Sequence, residues 1–144
     1  MINNILIYMK EIEKLKAGFE YCYEDAEIDA IKQNAIKNCR IYNSIDDDDK
    51  QKQYDFLCEI LGSIGENVCL AKTFSCDNGK NIFIGDNFTG NFNITILDVK
   101  EVYISNNVLI EPNTTITTVG HPITPKGRRE RLALASEITI GDDI

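Results

Sequence analysis

Apolar residues recur along the chain in two different periods, and the change falls near Gly62. Before it the spacing is helical. Ile5, Met9, Ile12, Leu15 and Phe19 stand three or four apart and predict a first helix, with Gly18 near its end as a stop or bend. Ile28, Ile31, Ala35, Cys39 and Tyr42 form one face of a second helix. Tyr54, Leu57, Cys58 and Leu61 mark a third, with Gly62 as its stop. Ser44-Ile45 and the acidic run Asp46 to Asp49, followed by Lys50, separate the last two. These residues read as a solvated loop whose carboxylates favour the N-terminus of the third helix.

After Gly62 the helical period disappears. Asn, Gly, Asp and Thr become frequent, with single aliphatic residues between them. Ile84-Gly-Asp-Asn-Phe-Thr, Ile104-Ser-Asn-Asn-Val-Leu, Ile110-Glu-Pro-Asn-Thr-Thr and Ile140-Gly-Asp-Asp-Ile share one six-residue form, and Ile64-Gly-Glu-Asn-Val-Cys is an earlier copy. Ile104, Ile110 and Ile116 follow one another at intervals of six, and so do Ile96, Val102, Val108 and Thr114. That period fits a triangular coil of short parallel strands, each side about six residues from corner to corner. One aliphatic residue per side then points inward and stacks on its equivalent in the next coil. Gly, Asn and Asp at the corners tolerate the backbone angles of sharp turns.

Residues 118 to 137 carry no such hexad and interrupt the coil. They contain His121, Pro122, Pro125, Lys126, Arg128, Arg129 and Arg131. Ile140 lies four hexads beyond Ile116, consistent with one coil resuming after an excursion. Long excursions from a rigid repeat are often functional.

Composition narrows the function. At 144 residues the chain suffices for one domain, or a small cap on a second module. A net charge of −8 argues against broad binding to nucleic acid or acidic lipid, which needs a basic face. No apolar run approaches a membrane span, and Met1 to Tyr8 lacks the cationic leader and cleavage site of a signal peptide, so the expected location is cytoplasmic. The cysteines, five in number, include no CxxC pair; ordinary reduced thiols are expected rather than a zinc site or a disulfide framework. Cys58 and Cys69, in apolar company, read as small hydrophobes.

His121 is the one histidine. An imidazole titrates near neutrality and suits removal of a proton from a hydroxyl, although a lone histidine beside proline in a loop also serves as a plain surface residue. Asp77 and Asn91 offer an acceptor-only and a mixed donor–acceptor side chain, suited to vicinal hydroxyls, but Asp and Asn are equally common as turn residues. The basic residues of the excursion suit a phosphate, a neighbouring subunit or simply solvent.

Several segments then occur together and in order. Lys16-Ala17-Gly18-Phe19-Glu20-Tyr21 resembles a Leu-Ala-Gly-x-x-Tyr opening. Leu61-Gly-Ser-Ile-Gly-Glu-Asn-Val leads into the coil. Cys76-Asp77-Asn78-Gly79-Lys80-Asn81-Ile82, Asn87-Phe88-Thr89-Gly90-Asn91-Phe92-Asn93 and Gly120-His121-Pro122 follow. Together they resemble the maltose/galactoside O-acetyltransferase family of hexapeptide acyltransferases. The resemblance implies a mainly β fold: an incomplete left-handed parallel β-helix over 63–144 under an α-helical cap over 9–62. Residues 1–8 would be an added N-terminal leader and 118–137 the excursion loop.

The activity implied is direct acetyl transfer from acetyl-CoA, without a metal, to a hydroxyl of a mono- or disaccharide. His121 would be the general base and Asn91 and Asp77 the acceptor contacts, with Asp98, near the same strand end, a further candidate. The family also implies a homotrimer with each active site at a subunit boundary. This chain departs from it at Tyr23, where some members carry an acceptor-contacting Asp, at Thr89, where an aromatic residue is frequent, and at Val99, where some have an acid. Members continue past the position of Ile144 through a Trp-Ile-Gly segment and further coils that hold CoA and an oxyanion donor. The alternative expectation is therefore a catalytically dead truncated remnant that at most trimerises and binds sugar.

Overall fold

The computed structural model describes residues 6–144. Most of the expected leader, and Ile5 of the first apolar stripe, lie outside the described residues. The cap consists of α1 (Glu11–Lys16), β1 (Tyr21–Cys22), α2 (Ala26–Ser44) and α3 (Lys50–Ile60). Asp25 caps α2 by accepting from the Glu27 and Ile28 amides, and Asp49 caps α3 by accepting from Lys52. The acidic run thus does what its position before a helix predicts.

The remaining strands are β2 (Ser63–Ile64), β3 (Cys69–Leu70), β4 (Phe74–Cys76), β5 (Ile82–Ile84), β6 (Thr89–Gly90), β7 (Ile94–Leu97), β8 (Val102–Ile104), β9 (Leu109–Ile110), β10 (Thr115–Thr117), β11 (Val119–Gly120), β12 (Leu132–Ala135) and β13 (Ile138–Ile140), with α4 (Pro125–Arg129) inside the excursion. Three parallel ladders form the sides of a prism: β2-β5-β8-β13 the first face, β3-β6-β9 the second, β4-β7-β10 the third. The fold is mainly β, a left-handed parallel β-helix closed at its N-terminal end by an α-helical cap, as expected.

The coil is longer than three hexads. Phe74 pairs with Ile94 and Ile82 with Val102, twenty positions apart in each case. Ile82 to Phe88 and Phe88 to Ile94 are sides of six, but Ile94 to Val102 spans eight. The extra residues sit where the third face turns into the first. The excursion leaves from that corner too, and Ile138 returns to pair with Val102, thirty-six positions apart, so the detour adds sixteen residues to the coil. Ile140 therefore lies directly over Ile104, and its distance of four hexads from Ile116 is not what sets the register.

Where the first face turns into the second, every coil repeats the same chemistry. Asn67, Asn87, Asn107 and Asp143 all adopt φ near +60°, the left-handed region that short polar side chains tolerate. The Asn67 side-chain amide donates to Asn87 Oδ1 at 3.0 Å, Asn87 to Asn107 at 3.0 Å and Asn107 to Asp143 at 2.9 Å. Asp86, Asn106 and Asp142 each accept the backbone N–H one coil below, all at 2.8 Å. A Cβ on Gly85 would stand 2.6 Å from Asn106 Oδ1, which is why glycine recurs there.

Inside, Phe74, Ile82, Phe88, Ile94, Ile96, Val102 and Val108 are buried, and Ala35, Cys39, Tyr42, Leu57 and Ile60 of the cap close the lower end of the same core. Asn43 clasps the edge strand as a neighbouring strand would. Its side chain donates to the Phe74 carbonyl at 2.8 Å and accepts from the Phe74 amide at 2.9 Å.

The cysteine reading needs correction. Cys58 and Cys69 are exposed, while Cys39 and Cys76 are buried with their sulfurs 3.5 Å apart. Helix α3 turns Gln53, Leu57 and Ile60 inward, which leaves Cys58 outside, and Cys69 takes the outward position of β3 beside the buried Leu70. Phe19, beyond the end of α1, is 39% exposed rather than part of its buried face, and α3 ends at Ile60, two residues before Gly62. Among the described residues no helix is long and apolar enough to cross a membrane.

Candidate active site

The corner between third and first faces differs in each coil. In the first it is Asp77-Asn78-Gly79-Lys80-Asn81, wound around one buried carboxylate from the coil above. Asp98 accepts the backbone N–H groups of Asp77 at 3.0 Å, Asn78 at 2.9 Å and Gly79 at 2.7 Å. Gly79 has φ +83°, and a Cβ there would stand 2.6 Å from the Ile60 carbonyl. Burial pushes the Asp98 carboxyl up to about 6, against the opposing pull of those N–H groups. One coil higher, buried Thr118 plays a similar part: its hydroxyl accepts from Lys100 N at 3.0 Å and donates to the Leu97 carbonyl at 2.7 Å.

Beyond Thr118 the chain leaves the prism. Strand β12 pairs antiparallel with β11 on one side and with β1 of the cap on the other, at Val119↔Ala135 and Tyr21↔Ala133. Leu15, Tyr21, Ala133 and Ala135 bury themselves beneath this small sheet in a second apolar cluster. Burial, with Asp77 as a lesser cause, pushes the Tyr21 phenol up to about 12. Helix α4 folds the excursion back: Thr124 accepts the Gly127 N–H at 3.2 Å and Pro125 fills the first helical turn.

His121 follows β11 directly. Its Nδ1 lies 3.1 Å from the Leu132 carbonyl. A carbonyl only accepts, so Nδ1 is the donor, and in the neutral ring Nε2 then keeps its lone pair. The Tyr23 ring packs edge-on against the imidazole, centroids 5.2 Å apart.

A cleft of about 580 Å³ opens between α1, α2 and this corner, and His121, Tyr23, Asp77, Asn78 and Lys32 all border it. Asp77 is paired with Lys32 at 3.3 Å. Ile28, Ile31 and Val99 give the cleft an apolar wall. A second groove of about 400 Å³, lined by residues 117–123 with Leu134 and Ser136, borders His121 as well.

The structure thus brings His121 and Asp77 to one cavity. Asp98 lies beneath it with both carboxylate oxygens engaged by the backbone, shaping the loop that presents Asp77. Asn91 stands at a different corner, between second and third faces, where its side chain accepts the Phe92 N–H at 2.8 Å. Within one chain it does not border the cleft. Tyr23, visible in the sequence only as a departure, is a neighbour of the imidazole; Asn78 and the Leu132 carbonyl carried no sequence signal. In the basic excursion, Arg128 donates to the Pro122 carbonyl at 3.2 Å, and Lys126 and Arg131 pair with Glu130 and Glu24 at 3.8 and 3.3 Å.

Residues 14–65 match the maltose acetyltransferase hexapeptide capping motif. A putative acetyltransferase of Saccharomyces cerevisiae is 39% identical over 83% of this chain, which spans 61% of that relative's length. The solved maltose O-acetyltransferase from Clostridium difficile superposes with a TM-score of 0.89 at 33% identity, covering 93% of this chain and 72% of that one. A galactoside acetyltransferase solved in complex with coenzyme A gives 0.87 at 30% identity, covering 93% of this chain and 67% of that one.

Proposed function

Since the chain belongs to the maltose/galactoside O-acetyltransferase family of hexapeptide-repeat acyltransferases, we propose that it transfers an acetyl group from acetyl-CoA to a hydroxyl of a mono- or disaccharide. The observation that carries this reading is the meeting of His121, its Nε2 free, with Asp77 and Lys32 on one cleft. Asp77 accepts hydrogen bonds from neighbouring sugar hydroxyls and Lys32 donates to them.

His121 Nε2 takes the proton of the attacking hydroxyl as its oxygen bonds to the acyl carbonyl. Acetyl-CoA supplies that carbonyl as an activated thioester. The imidazolium then returns the proton to the departing thiolate, so an ester and a free thiol result and no acetyl-enzyme forms. The groove that also borders His121 has room for the acetyl end, and an acyl donor of this kind accords with the coenzyme A complex of the solved galactoside acetyltransferase. Asp98 acts from beneath by fixing the loop that carries Asp77.

Asn91 reaches a sugar in this cleft only from another copy of the chain. We therefore place the complete site at a subunit boundary, in a homotrimer. The test is release of coenzyme A across a panel of mono- and disaccharides, with His121→Ala as control. Sugar-dependent release that falls on the order of 10²–10⁴-fold in the variant supports the assignment. Unchanged turnover in the variant overturns the base, and no response to any sugar overturns the acceptor class.

A further inference from the structure

His121 is exposed, and among the described residues its ring makes one hydrogen bond, from Nδ1 to the Leu132 carbonyl. A single bond anchors one corner of an imidazole and leaves its plane free to turn. Tyr23 supplies a second restraint. The rings meet edge to face, their planes 76° apart and centroids 5.2 Å apart, the arrangement that sets the positive edge of one aromatic ring against the negative face of the other.

Tyr23 is itself restrained two ways, both through Arg131. Its backbone N–H donates to the Arg131 carbonyl at 3.1 Å, extending the β1–β12 pairing by one residue. Its phenolic oxygen accepts from Arg131 Nη1 at 3.4 Å, across 108 positions of sequence. The Arg131 guanidinium is in turn paired with Glu24, Nε to carboxylate, at 3.3 Å. Arg131 holds φ +57°, which residues bearing a Cβ ordinarily avoid, so the backbone is turned at the point from which its side chain reaches Tyr23.

We infer that Tyr23, braced by Arg131 and Glu24, is a positioning residue that fixes the plane of the His121 imidazole and so aims Nε2 into the cleft. The functional meaning rests on His121 as the base; the physical content does not, because it can be read without turnover. A merely structural Tyr23 would fill the wall of the cleft and leave the imidazole indifferent to it.

His121 gives an unambiguous pair of ring C–H signals and ring nitrogen signals, since no other histidine is present. These are recorded for the unmodified chain and for Tyr23→Leu, Tyr23→Phe and Arg131→Met, with the methyl spectrum as a check on folding. In Tyr23→Leu the ring C–H signals lose their aromatic displacement. The nitrogen signals move from the Nδ1–H form toward a mixture of tautomers. Tyr23→Phe keeps the ring but loses the oxygen that Arg131 Nη1 reaches, so it gives an intermediate result, as does Arg131→Met, with the fold intact. In a sugar-dependent assay, Tyr23→Leu lowers kcat by about tenfold or more, as misaimed groups do, and Tyr23→Phe, which keeps the ring without the brace, restores part of it.

His121 signals that ignore Tyr23→Leu overturn the inference, as does Tyr23→Phe behaving like Tyr23→Leu. If Tyr23→Leu fails to fold, Arg131→Met decides: unchanged His121 signals in it refute the brace. Ring signals that respond as described while no sugar is acetylated would leave the brace standing and remove the proposed function. Acetylation with indifferent ring signals would do the reverse.

Discussion

Two corners of one prism are built to opposite rules. Between first and second faces, each coil repeats its predecessor: an aliphatic residue, a small residue, then two polar residues, the first bonding the backbone of the coil below and the second its own kind. Between third and first faces no two coils agree. The first wraps three backbone amides around Asp98, the next ties Lys100 to Thr118, and the last leaves the prism altogether to return sixteen residues late. The regular corner holds the stack together and borders neither of the two grooves that meet His121. The irregular one carries the imidazole, the paired carboxylate and the cleft. Repetition here marks support, and its failure marks the candidate site.

The sharpest way to break this comparison is to remove one side chain from each corner. His121→Ala should lower acetyl transfer by roughly 10²–10⁴-fold with almost no change in melting temperature, because the side chain is exposed. A large loss of stability in that variant would show the excursion to be structural rather than functional. Next in size is the division of the site between subunits. His121→Ala and Asn91→Ala chains, each inactive alone, should regain activity when unfolded together and refolded as mixed assemblies. No recovery would return Asn91 to an ordinary turn residue.

Smaller effects belong to stability. Asp98→Asn replaces an acceptor oxygen by an N–H donor facing backbone amides, in a buried site. It should cost about 1–3 kcal/mol in chemical denaturation and weaken sugar binding through the loosened loop. Asn87→Ala at the regular corner should cost about 1–2 kcal/mol, mostly from the left-handed backbone. Asn87→Gly should recover much of that, and neither should alter acceptor binding.

A further effect on stability is a slope with pH. Burial raises the Asp98 carboxyl from the ordinary 3.8 to about 6. Across that interval the folded chain holds a proton that the unfolded chain has released, so this contribution is complete below 3.8 and declines as pH rises through about 6. Denaturation midpoints from pH 4 to 7 should show the decline, and Asp98→Asn should flatten it.

Much of this was legible in the sequence, for reasons that separate the two corners again. Ile64, Ile84, Ile104 and Ile140 were readable as one column because stacking demands the same residue at the same place, coil after coil. The six-residue period, however, concealed the longer third side, since its two additional residues do not repeat a pattern. His121 and Asp77 stood out as chemistry and do share a cleft. Asp98 was noticed for its place near a strand end, but its partners are backbone amides, which leave no mark on composition. Tyr23 meets His121 only because β1 adds to a sheet formed far along the chain, a pairing two residues long that no local pattern announces. Cys58 misled because apolar neighbours in sequence are not neighbours on a helix face.

The division between a supporting corner and a reacting one can be measured on the chain itself, without a donor. Maltose and methyl β-galactoside are titrated separately into isotopically labelled protein while backbone amides and the His121 ring signals are followed. The account predicts movement at Asp77, Asn78, Asn81 and His121 for at least one of the two sugars, with Asn67, Asn87 and Asn107 unmoved. Movement centred on the asparagine ladder, with His121 silent, would contradict it.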